Sequence, residues 1–300
     1  MVEKLTAELV YLTQVICGEG PVWDEVHHKL YWMDIVSGHI YIFNPENGTN
    51  TGYQIGRVMG GLTLCEKGGV LLAMEKGFVF FDPETGSMEI KNNPEVGLSE
   101  HFFSDGKCDP KGRFWAGTYH QSLTETTGSL YSLESDFTVK KRLEHLILSN
   151  GLTWSMDQKK FYFIDSIARC IYSFDYNTAS GNISNKQILK KIQGDVGLPD
   201  GMTIDTEGFL WIAVYNAGKI IRINPQSGET VFEVLVPNAK QVTSCTFGGK
   251  EFDELYITTA KEMDGPYGIP KDELNSQQNA GGLFKVKLPF KGIPSVRFKG

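Results

Sequence analysis

Four oxygen-bearing side chains, Glu19, Asp105, Asn150 and Asp200, each stand directly before a glycine, in GEGPVWD, SDGKCDP, SNGLTWS and PDGMTID. Taken singly, Glu-Gly, Asp-Gly and Asn-Gly are ordinary turn pairs. Their recurrence sets them apart. Aligned on the glycine that opens a short apolar stretch, six segments place Glu19, Gly60, Asp105, Asn150, Asp200 and Thr243 at one equivalent position. If those six points converge, three carboxylates and one carboxamide oxygen share a small volume. Buried carboxylates that close together raise one another's pKa unless a cation neutralises them. An oxygen-only set without His or Cys favours one hard divalent ion, Ca²⁺ first, with Mg²⁺, Mn²⁺ or Zn²⁺ as alternatives. Asp105 is expected behind such an ion, bracing its turn.

Convergence needs a repeat, and the sequence has one. A Gly-led apolar stretch, a polar turn, an aromatic stretch and a third apolar stretch recur six times, as in GPVWDEVHHKLYWMDIVSGHIYIFNPENG. Equivalent positions in the second stretch are Leu30, Val70, Phe114, Phe161, Leu210 and Leu255, spaced by 40, 44, 47, 49 and 45 residues. That is the period of a four-stranded propeller blade. LYWMDI, RFWAGT, KFYFID, FLWIAV and ELYITT have the composition and length of strands. The expected fold is all-β: a single six-bladed β-propeller domain over 1–300, with four-stranded antiparallel blades and a divalent metal in the central channel. Glu8–Tyr11 and GIPSVRF (292–298) are expected to share and close the last blade. The polar, Pro/Gly-rich stretch 261–282 is expected as a surface loop over one face.

Composition removes several classes. With 29 basic and 36 acidic residues the formal charge is −7, and no basic stripe suited to nucleic acid is present. Apolar runs such as GVLLAM and GFVFF are strand-sized, too short to span a bilayer. The five cysteines (Cys17, Cys65, Cys108, Cys170, Cys245) form no C-x-x-C pair, which points to buried free thiols and a reducing, cytoplasmic setting. No G-x-S-x-G elbow or H-E-x-x-H helix occurs. Asp24, Asp109, Asp157 and Asp205 recur four to seven residues after ring positions and are assigned to turns. His120, after WAGTY, is the histidine expected near the channel mouth.

GEGPVWD…LYWMDI, SDGKCDPKGRFWAGT, SNGLTWSMDQKKFYFID and LPDGMTIDTEGFLWIAV together resemble the regucalcin/gluconolactonase/luciferin-regenerating-enzyme-like (senescence-marker) family, over about residues 15 to 285. The resemblance implies a metal-dependent lactonase, with Glu19, Asn150 and Asp200 as ligands and Asp200 also moving the proton. A non-catalytic calcium-binding propeller is the alternative. One motif departs: the family's Arg-x-Asn-Asp-Gly stands here as Phe102-Phe103-Ser104-Asp105-Gly106. Loss of the guanidinium fork removes donors and adds apolar area. Phe102, Ser104 and His120 are the candidate substrate contacts, with His101 as a substitute donor. The expected partner is a small lactone, with no nucleic acid or membrane, and the protein is expected as a monomer or weak homodimer.

Overall fold

The computed structural model describes residues 2–13, 15–193, 196–261, 269 and 271–300. Six antiparallel four-stranded sheets follow one another around a ring, each running outward from its first strand. The innermost strands are Gly18–Asp24, Met59–Leu64, His101–Cys108, Ser149–Trp154, Leu198–Ile204 and Val242–Gly248. Neighbouring innermost strands lie side by side, and that of blade six meets that of blade one. The fold is the expected six-bladed propeller.

The repeat-equivalent residues of the second strand, Leu30, Val70, Phe114, Phe161, Leu210 and Leu255, are all buried. Fully paired on both sides and covered on both faces, these strands need continuous apolar side chains, as the sequence supplies. Aliphatic side chains fill the interface of blades four and five, and aromatic ones those of three with four and five with six. Trp115 of blade three meets Trp154 of blade four edge-on at 5.6 Å, and Trp211 meets Phe247 in the same way at 5.5 Å. The turn aspartates reach beyond their turns. Asp109 Oδ2 accepts from Arg113 Nε, Trp115 Nε1 and the Tyr176 hydroxyl, which joins blades three and four. Asp205 Oδ2 accepts from Trp211 Nε1 and Arg222 Nε. All five cysteines are buried and free.

Closure differs from expectation at one end. Glu8–Leu12 does pair with Gly282–Lys287 as the outer strand of blade six. The C-terminal stretch does not join that sheet. Gly292 bridges to Asp205 of blade five and Phe298 to Cys65 of blade two, so the tail crosses the far face of the ring. Arg297 also bonds Asp24 and lies against Glu25 of blade one. A further strand, Glu3–Thr6, adds in parallel to Thr230–Leu235 as a fifth strand of blade five. Short, mixed sequence such as GIPSVRF carries no signal that separates a fourth strand from a crossing strap. Of the 261–282 loop, 262–268 and 270 lie outside the described residues.

Candidate functional site

Every innermost strand carries a register break at the ring position. The breaks fall between Glu19 and Val22, Met59 and Gly61, Phe103 and Gly106, Asn150 and Leu152, Pro199 and Met202, and Val242 and Ser244. Such bulges bend a strand and re-aim a side chain. The X-Gly pairs that look like turns are therefore bulges inside strands. Their glycines let adjacent strands approach. A Cβ on Gly151 would overlap the Asp200 carbonyl oxygen, and one on Gly61 would lie 2.9 Å from the Gly106 nitrogen.

The result is a cavity of about 170 Å³ whose lining includes Glu19, Ser104, Asp105, Asn150, Ser166, Asp200 and Thr243. Glu19, Asp105, Asn150 and Asp200 are buried. Glu19 Oε2 and Asp105 Oδ1 accept the N–H of the following glycine at 2.9 and 2.7 Å. Asn150 is held from both sides. Its Nδ2 donates to Ser166 Oγ at 2.8 Å, and Ser166 in turn donates to the Pro199 carbonyl at 2.6 Å. Ser104 Oγ donates to Asn150 Oδ1 at 3.1 Å. An amide oxygen has two lone pairs, so one is left for the cavity.

Burial pushes the Glu19 carboxyl well above the ordinary range, with repulsion from Asp200 and Asp105 adding to it. Asp200 is raised in the same direction by burial and then by Asp105. Burial also raises Asp105, against the pull of the Lys107 ammonium. The same field raises Tyr215, through burial, Cys17, Asp200 and Glu19, and burial with Cys17 pushes Tyr119 up to about 12. Two raised carboxyls, Glu19 and Asp200, beside an amide oxygen fixed by its own hydrogen bonds are donors of the kind a hard cation takes, with the Asp105 charge close by. Among the described residues no group of three or more His, Cys, Asp or Glu side chains is arranged to hold a metal ion. Glu19, Asn150 and Asp200, two carboxyls and one carboxamide, are the side chains that would hold such an ion.

The structure thus brings Glu19, Asn150, Asp200, Asp105 and Ser104 to one cavity. Asp105 also lines a second cavity of about 240 Å³ on the tail side, together with Lys107. Phe102 is not in the lining of the first cavity; its ring lies 6.1 Å from that of Tyr119, which is. Phe103 takes the lining place, because the bulge begins after it. His120 bonds Ser122 and lies 3.3 Å from Glu100, away from the cavity lining. His101 is held by Glu95 at 2.7 Å, likewise outside it. Cys17, Tyr119, Ser166 and Tyr215 were missed in the sequence. They sit where second strands end or first strands begin, and only the repeat alignment extended to those ends could have found them.

Fold and site together describe a six-bladed propeller with an oxygen-lined cavity at the channel centre. The family described as the SMP-30/Gluconolactonase/LRE-like region matches residues 17–261, and the chain belongs to that family. It is similar to regucalcin of Oryctolagus cuniculus, at 38% identity over 290 residues covering 95% of each chain. It is similar also to the "Putative sugar lactone lactonase YvrE" of Bacillus subtilis (strain 168), at 35% over 288 residues, 96% of this chain and 97% of that one. A luciferin-regenerating enzyme structure superposes with a TM-score of 0.89 at 32% identity, over 96% of both chains. No helix among the described residues is long and apolar enough to cross a membrane.

Proposed function

We propose that the protein hydrolyses a small lactone in a metal-dependent reaction at the Glu19–Asn150–Asp200 cavity. The observation that carries this reading is the arrival of those three side chains, from three blades, at bulges facing one buried space. Membership of a family whose description includes gluconolactonase supports it. A divalent ion bound by the three, calcium first, would polarise the lactone carbonyl and offset the charge of the oxyanion. Asp200 accepts the proton of the attacking water at a carboxylate oxygen. As the ring C–O bond breaks, Asp200 returns that proton to the leaving alkoxide, giving the hydroxy acid. Ser104 and Ser166 keep the Asn150 amide from rotating. Asp105 adds negative charge beneath the site and is not required as a ligand.

The test is hydrolysis of a lactone panel with Ca²⁺, Mg²⁺, Mn²⁺, Zn²⁺ or chelator, comparing wild type with Asp200→Ala. Metal-dependent turnover that disappears in the variant is the expected result. Tight metal binding without turnover on any lactone would overturn the hydrolase reading in favour of a calcium-binding propeller.

A further inference from the structure

Above its polar floor the cavity changes character. The remaining lining is Ile35, Leu123, Leu148, Ile167 and Leu198, with Cys17, Gly60, Phe103, Tyr119 and Tyr215. Among the described residues no Lys, Arg or His contributes to it. The floor hydroxyls are already engaged inside the protein. Ser104 donates to Asn150, Ser166 to the Pro199 carbonyl, and Thr243 to the Gly18 carbonyl at 2.6 Å. Their protons are therefore not on offer to a ligand. A polyhydroxylated lactone would bring several hydroxyls to this wall and leave most of them unpaired, which is unfavourable in a desolvated site. An apolar substituent meets no such penalty and gains by leaving water. The Tyr119 and Tyr215 rings offer apolar faces, with one hydroxyl each to orient a single polar group.

We propose that the site selects a lactone carrying an alkyl chain, with the chain against Ile35, Leu123, Leu148, Ile167 and Leu198 and the ring ester over Asn150 and Asp200. This rests on the lactonase reading above.

The experiment measures kcat/KM of the metal-loaded protein for γ-butyrolactone, γ-valerolactone, γ-hexalactone and γ-octalactone, beside glucono-δ-lactone. Each added methylene should raise kcat/KM about three- to fourfold until the cavity is full. Glucono-δ-lactone should fall below γ-hexalactone. The informative variant is Leu123→Asn: Leu123 has φ +56°, a conformation that asparagine tolerates better than leucine, so the fold is not penalised. It should flatten the chain-length slope. A flat series, or preference for the sugar lactone with turnover still lost in Asp200→Ala, overturns the substrate class and leaves the lactonase reading standing. If no lactone turns over, calorimetry with the matching γ-alkyl lactams separates the two ideas. Affinity that grows with chain length supports the apolar wall alone, and affinity independent of chain length overturns it.

Discussion

Gly151→Ala tests whether the bulges position the chemistry. Gly151 follows Asn150 and packs on the backbone of Asp200 in the next blade, so one methyl would push two candidate ligands apart. A Cβ there overlaps the Asp200 carbonyl oxygen and stands 2.7 Å from Ile164 Cδ1 and 2.9 Å from Met202 Cβ. Ordinary carbon contacts lie near 3.5–4.0 Å, so the neighbours must retreat by roughly 1 Å. Overpacking of that size costs about 1–3 kcal/mol. For a chain of this length the unfolding entropy is roughly 0.6 kcal/mol per degree, which makes the loss about 2–5 °C in Tm. The protein therefore stays folded at room temperature. A displacement of about 1 Å at reacting groups is worth on the order of 100-fold in rate. The expected outcome is a small Tm loss by calorimetry with a roughly 100-fold fall in kcat/KM. Gly48→Ala is the control: it lies at φ +71° in an exposed turn with open space around it, so it strains the backbone and leaves the channel alone. Gly151→Ala activity within threefold of wild type, on a folded protein, would refute the claim that strand spacing sets the site.

Three further outcomes follow from the same geometry. In chelator, Asp200→Asn should be more stable than wild type at pH 8, with the gap closing toward pH 4. The raised Glu19, Asp105 and Asp200 carboxyls stabilise the metal-free fold fully only below the usual carboxylate range, and that contribution is lost as pH rises through their folded values. Thermal melts at a series of pH values read this directly, and a gap that widens toward pH 4 would contradict it. Glu19→Gln should weaken Ca²⁺ binding at least about tenfold by calorimetry, because a neutral amide replaces one of two anionic donors. Asp109→Ala should lose about 3–5 kcal/mol in denaturant melts, since Arg113 is left buried without its carboxylate. Its kcat/KM should be nearly unchanged at low temperature, because Asp109 lies outside the channel linings.

The repeat was legible because its strands are buried on both faces. Leu30, Phe161 and Leu210 had to be apolar, and their spacing exposed the blades. The ring positions were legible for the same reason: one bulge per blade keeps Glu19, Asn150 and Asp200 in step with their glycines. Side-chain direction next to a bulge was not legible. Phe102 was reached through the family motif, whereas Phe103, the last paired residue before the register break, lines the cavity. Ser166 was invisible because its role depends on the Pro199 carbonyl, 33 positions away. The tail was misassigned because a strap held by two isolated bridges needs no periodic pattern.

The tail also acts as a tie across one end of the channel. Ile293–Val296 help wall the cavity on the far side of the ring, where Lys107 donates to the Met202 carbonyl. By joining blades one, two and five across that face, the last residues should help hold the ring closed, and cutting those contacts should loosen the blades as well as widen that end of the channel.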